Sequence, residues 1–132
     1  MAGTCEALRE TVHHRGIDII TWTWTSDSAG NVSGVGGVHQ AFGRIEQVEF
    51  LPGTGDNQPT NEYDVVVTDE HGRDVLMGQG IDLSHDADNT AKNIRTPLNG
   101  DLGYMTCVGL TLTPGISGAG DGKSGTIRMI VR

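Results

Sequence analysis

A chain of 132 residues, 36% of them hydrophobic, carries enough apolar material for one buried core and too little for two. Seventeen acidic residues against nine basic ones give a formal net charge of -8, a field that repels nucleic acid and anionic membrane and excludes both as expected partners. No run of apolar residues approaches the length of a membrane span, and the opening "MAGTCEALRE" has neither the basic start nor the apolar stretch of a secretion signal.

Two cysteines, Cys5 and Cys107, stand far apart in no metal-type spacing, which fits free thiols in a reducing compartment. Twenty glycines, against an ordinary usage of about 7%, come with only four prolines and no collagen-like period. Together with many Val, Ile and Thr residues they predict short strands joined by tight turns, an all-β domain.

In chain order, Cys5, Leu8 and Val12 fall at helical spacing, which predicts a short helix or, equally, an extended arm over residues 1–15, ahead of a β domain over 16–132. In "IDIITWTWT", Thr21, Thr23 and Thr25 alternate with Ile20, Trp22 and Trp24, the period of a strand with one bulky face. A glycine-punctuated stretch holding Val32, Val35 and Val38 leads to a second strand, "RIEQVEFL", whose alternation slips between Ile45 and Val48 and predicts a bulge. "EYDVVVT", the turn "DEHG" and "RDVLMG" read as a hairpin with Tyr63, Val65 and Val67 on one face and Gly72 supplying a left-handed turn position. Residues 82–100 form a long polar loop, and "GYMTCVGLTLTP" and "TIRMIVR" read as two closing strands in a hairpin around "GISGAGDGKSG".

The "GDGKSG" in that turn resembles a phosphate-binding loop, but the motif's first glycine would fall at Ser117, and Ser124 leads into a strand where the motif needs a helix N-terminus. The acidic group Asp64, Asp69, Glu70 and Asp74 with His71 lacks the calcium-loop spacing, because Gly72 is fourth from Asp69 rather than sixth, and reads as turn chemistry. Asp82, His85, Asp86 and Asp88 are suitable divalent-metal ligands without a spacing that fixes their geometry, so local backbone hydrogen bonds are the default reading. The consecutive His13 and His14 would point apart on an extended arm. No nucleophile motif with a partnering base occurs, and the expectation is a protein without catalytic residues, cofactor or metal. Trp22 and Trp24 read as a core layer or as an anchor for a neighbouring subunit.

Three groups of residues carry a family resemblance. Pro59, Thr60, Tyr63, Asp64 and Val65 form a "P-T-x-x-Y-D-V" strand; Asp69, Glu70, Gly72, Asp74, Val75 and Leu76 form a "D-E-x-G-x-D-V-L" turn; Gly109, Leu110, Thr111 and Leu112 form a late "G-L-T-L" strand. With these the chain resembles small structural proteins of tailed bacteriophage virions. The resemblance implies a single antiparallel β-sandwich or barrel, jelly-roll-like, that acts as a capsid decoration (cement) protein. Its partners would be the major capsid protein and copies of itself in a homotrimer, and its place the virion surface. A tail or head-to-tail connection component and a carbohydrate-binding surface module are the alternatives. The residues expected to touch a partner are Trp22, Trp24, His85, Asp86, Asp88, Asn93 and Arg95.

Overall fold

The computed structural model describes residues 3–12, 17–33, 39–88, 93–95 and 106–132. The expectations placed on His13, His14, Val35 and Val38 lie outside these residues. In chain order the strands are β1 (Thr4–Val12), β2 (Ile17–Thr25), β3 (Val32–Ser33), β4 (His39–Pro52), β5 (Asp64–Thr68), β6 (Ile94–Arg95), β7 (Thr106–Ser117) and β8 (Ser124–Val131). Every pairing among them is antiparallel.

One layer runs β1-β2-β8-β4, and its register explains the spacing of the bulky residues. Cys5, Trp24, Gly125 and Pro52 stand in one cross-strand row; Ala7, Trp22, Ile127 and Phe50 stand in the next; Ile20, Met129 and Val48 follow. Alternate residues of β8 are buried from Gly125 to Val131, while the Thr residues of β2 face outward. The register slips between Ile45 and Gln47, the bulge expected from sequence, and the extra residue returns Ile45 to the inner face beside Val48 although the two are three apart.

That bulge also marks where β4 changes partner. Its second half pairs with β8 and β6, and its first half, His39–Arg44, pairs with β7. The far half of β7 is flanked by β5 and by β3, which completes the opposing layer. The two layers share one core, in which the Trp24 and Tyr63 rings lie 5.8 Å apart at 44°. The domain is a small antiparallel β-sandwich and not a closed barrel.

Three expectations are corrected. The N-terminal segment is a strand and not a helix or free arm. Its informative period is two, with Cys5 buried, Glu6 exposed, Ala7 half-buried and Leu8 exposed. A nine-residue helix is marginal alone, whereas nine consecutive pairings with β2 set Cys5 and Ala7 beside the two tryptophans. The hairpin after Tyr63 keeps its first strand only: Asp74 makes an isolated bridge to Thr68, the chain then coils through turns over 75–80, and β5 finds its sheet partner in β7. The last two strands do not pair with each other. β7 continues past Pro114 to Ser117 in one layer, β8 lies between β2 and β4 in the other, and the glycine-rich loop is a crossing between layers.

Gly125 is the tightest point of the first layer. A Cβ there would stand 2.6 Å from Cζ2 of Trp24, its cross-strand neighbour, so the indole occupies the space a side chain would need. Gly125→Ala is expected to destabilise the fold by about 1–3 kcal/mol through overpacking, measured by chemical denaturation, with a shift in tryptophan emission as the ring is displaced.

Candidate functional site

Several of the acidic residues that invited a chemical reading are spent on the backbone. Asp69 Oδ1 accepts from the N–H groups of His71 at 2.9 Å and Arg73 at 3.0 Å, and its Oδ2 accepts from Arg73 Nε at 3.1 Å. Asp74 Oδ1 accepts from the N–H of Leu76 at 3.0 Å and of Val67 at 3.3 Å, and its Oδ2 from that of Gly78 at 2.9 Å. These bonds turn the chain where a second hairpin strand was expected, because a short carboxylate satisfies turn donors more directly than a distant strand does. Asp64 Oδ1 accepts from the Asp82 N–H at 2.9 Å, and Val65 donates to the Gly80 carbonyl at 2.7 Å, so residues 74–83 lie along the outer margin of β5 and cover it.

The loop after Leu83 is ordered in the same way. Ser84 Oγ accepts from the Asp86 N–H at 3.1 Å, Asp86 Oδ1 accepts from the Asp88 N–H at 2.9 Å, and Asn93 Nδ2 donates to the Asp86 carbonyl at 2.8 Å. Asn61 Oδ1 accepts from the His85 N–H and Gln58 Nε2 donates to the His85 carbonyl, which ties the loop to the segment before β5. Asn93 is buried, Asp86 and Asp88 are exposed and His85 is half-buried. The structure thus brings His85, Asp86, Asp88 and Asn93 into one hydrogen-bonded segment. Among the described residues no three His, Cys, Asp or Glu side chains gather closely enough to hold a metal ion.

Arg95 pairs its backbone with Val48 in β6, apart from that segment; its side chain and residues 89–92 and 96–100 lie outside the description. Trp22 and Trp24 are both buried inside the sandwich. They form the core layer, and neither ring lies on the surface of a single chain to stack on a sugar or seat a neighbour. Cys5 is a buried thiol whose pKa burial, with Glu6 beside it, pushes up to about 11, so it is no nucleophile at neutral pH. Burial alone also raises the Tyr63 phenol.

The near-match to a phosphate loop is a stitched turn. The buried Ser26 hydroxyl donates to the Gly120 carbonyl and accepts from the Lys123 N–H at 2.8 Å, while the Ser26 N–H donates to the Lys123 carbonyl at 2.7 Å. Lys123 Nζ reaches the Asp56 carbonyl at 2.9 Å. The N–H groups of Ala119, Gly122 and Lys123 in this loop therefore serve other parts of the chain and are not aimed at a ligand.

Sequence reasoning missed the exposed apolar side chains Leu8, Met77 and Ile81. Leu8 was assigned to a helical stripe and Met77 to a strand, so neither period marked it as outward. No helix among the described residues is long and apolar enough to cross a membrane. No protein-family model, curated protein or solved structure matches this chain.

Two measurements follow from this geometry. The N–H of Arg73, then that of His71 and the Arg73 guanidinium, hold the Asp69 carboxyl below its ordinary value of 3.8 despite an opposing push from burial. A folded value below the unfolded one adds stability that is full above 3.8 and is lost as pH falls through the folded value. Asp69→Asn is therefore expected to be less stable than the parent at pH 7, with the gap narrowing below pH 4, read from denaturation midpoints across pH. Ser26→Ala leaves the Lys123 N–H without its hydroxyl acceptor and is expected to cost about 1–3 kcal/mol, whereas Lys123→Ala, at an exposed contact, should stay within about 0.5 kcal/mol.

Proposed function

We propose that this chain is a non-enzymatic virion structural protein of a tailed bacteriophage, a decoration protein that binds the capsid lattice as a homotrimer and stabilises the head. The observation that carries this reading is the three-part resemblance, and the structure gives those residues a coherent use. Pro59, Tyr63, Val65, Val75, Leu76 and Leu112 are buried, and Asp64, Asp69 and Asp74 hold the turns that cover β5. Most of the described residues of the three groups thus build the sandwich and its turns, which is what small coat components with different contacts would have in common. On this reading the contacts are surface features: the exposed carboxylates of Asp86 and Asp88, and the exposed Met77 and Ile81 on the segment along β5.

Purified protein mixed with empty capsids of its phage should co-sediment with them at a fixed number of copies per capsid subunit and raise their unfolding temperature. An Asp86→Asn/Asp88→Lys double variant, which keeps an Oδ1 acceptor for the residue-88 N–H, should bind at least tenfold more weakly while keeping its own denaturation midpoint. Absence of binding to intact capsids would overturn the decoration reading, and recovery with isolated tails or connectors at ring-like stoichiometry would favour the head-to-tail alternative.

A further inference from the structure

Residues 74–83, which cover the margin of β5, carry two exposed apolar side chains: Met77 is 57% exposed and Ile81 42%. They stand on a fixed base. Val75 and Leu76 are buried just before Met77, a side chain at Gly80 would overlap the Val65 carbonyl, and Val65 donates to the Gly80 carbonyl at 2.7 Å. Around Met77 the Asp74 carbonyl accepts from the Met77 N–H at 3.1 Å, and the Asp74 carboxylate accepts from the N–H groups of Leu76 at 3.0 Å and Gly78 at 2.9 Å.

The backbone of Met77 is left-handed, with φ 54°, a conformation that glycine adopts freely and other residues adopt at a cost. Exposure of its apolar chain to water adds a second cost. The turn gains from neither, because its hydrogen bonds join Asp74 to the backbone of residues 76–78 and a glycine at position 77 would keep them. A residue that breaks two local preferences without serving the core points to a contact outside the chain. Methionine suits one, being an adaptable apolar side chain enriched at interfaces.

The charges beside the pair define the partner. Asp82 follows Ile81 and is exposed, with its N–H on Asp64 Oδ1 at 2.9 Å. The bridge between Tyr63 and Leu83 brings the exposed Glu62 alongside, its N–H on the Leu83 carbonyl at 2.9 Å. Arg73 lies at the other end of β5, its guanidinium on Asp69 at 3.1 Å. A second copy of the chain is a poor match, since a twofold contact through this pair would gather both copies' Glu62 and Asp82 in one interface, and the net charge of -8 adds to the repulsion.

We infer that Met77 and Ile81 anchor the chain to a different protein, in an apolar pocket bordered by lysine or arginine side chains that meet Glu62 and Asp82. The apolar pair supplies the attachment, and the carboxylates select a basic border and reject acidic surfaces. The inference deepens the virion reading and rests on it for the binder, the capsid shell.

The test measures co-sedimentation of the full chain and its variants with empty capsids of its phage, alongside chemical denaturation of each free protein. Met77→Gly should leave the denaturation midpoint unchanged or raised, as the left-handed strain is relieved, and weaken capsid binding by about tenfold or more. Ile81→Thr should weaken binding by about threefold or more. Glu62→Gln/Asp82→Asn should weaken binding at low salt and reduce its further loss as sodium chloride is added. A photoreactive methionine analogue at position 77 should crosslink to the capsid subunit. The inference is overturned, with the virion reading left standing, by capsid binding of Met77→Gly equal to the parent's, by a lowered midpoint for that variant, by an unchanged salt response in the double variant, or by crosslinking of position 77 to a second copy. Failure of the parent chain itself to bind would overturn the virion reading and the inference with it.

Discussion

Everything else in this fold follows from the need to bury two indoles projecting from the same face of one strand. Trp22 and Trp24 are two residues apart, so both must be covered from the same side. At about 150–250 Å² of surface per ring, and about 25 cal/mol per Å² removed from water, their burial supplies about 4–6 kcal/mol each. The required cover reaches in both directions across the layer. Ala7 and Cys5 extend it on one side; Ile127, Phe50 and the bare Gly125 extend it on the other, with Tyr63 closing it from the opposing layer. The glycine opposite Trp24 is thus a consequence of the indole rather than of turn geometry, although most glycines of the chain were read as turn residues.

A second constraint governs the opposing layer, where short strands leave many backbone groups without sheet partners. Aspartates answer it. Asp27, Asp64, Asp69, Asp74 and Asp86 each accept from at least one backbone N–H, and several accept from two or more. Five of the chain's seventeen acidic residues are thereby tied to turns. The acidity that looked like a property of the surface is in part a property of the fold, which is why the acidic clusters gather no metal site among the described residues.

How much was legible follows from which forces are local. Strand β2, the bulge in β4 and the inner face Tyr63, Val65, Val67 could be read directly, since alternation and its slippage are written along one segment. The strand identity of residues 4–12 could not, because Cys5, Leu8 and Val12 satisfy a helical period as well, and only pairing with β2 breaks the tie. The two hairpins failed for a related reason. Adjacency in sequence favoured them, but Asp74 diverted one chain into turns, and β7 already had β3, β4 and β5 along it, which sent β8 to the other layer. Of the candidate site, the loop at His85 to Asn93 was visible as a polar segment, while the exposed apolar residues were not, since exposure depends on how each segment packs rather than on its period alone.

The described polar groups and the described surface tie the physical account to the functional one. Several described polar groups are engaged within the fold: the carboxylates of Asp69 and Asp74 on turn amides, the Ser26 hydroxyl on the crossing loop, and the Cys5 thiol held protonated in the core. The described surface also offers a few outward apolar side chains, Leu8, Met77 and Ile81 among them, and exposed carboxylates such as those of Asp86 and Asp88. Such groups recognise other polypeptides by shape and charge, and they do so without altering a bond in the partner.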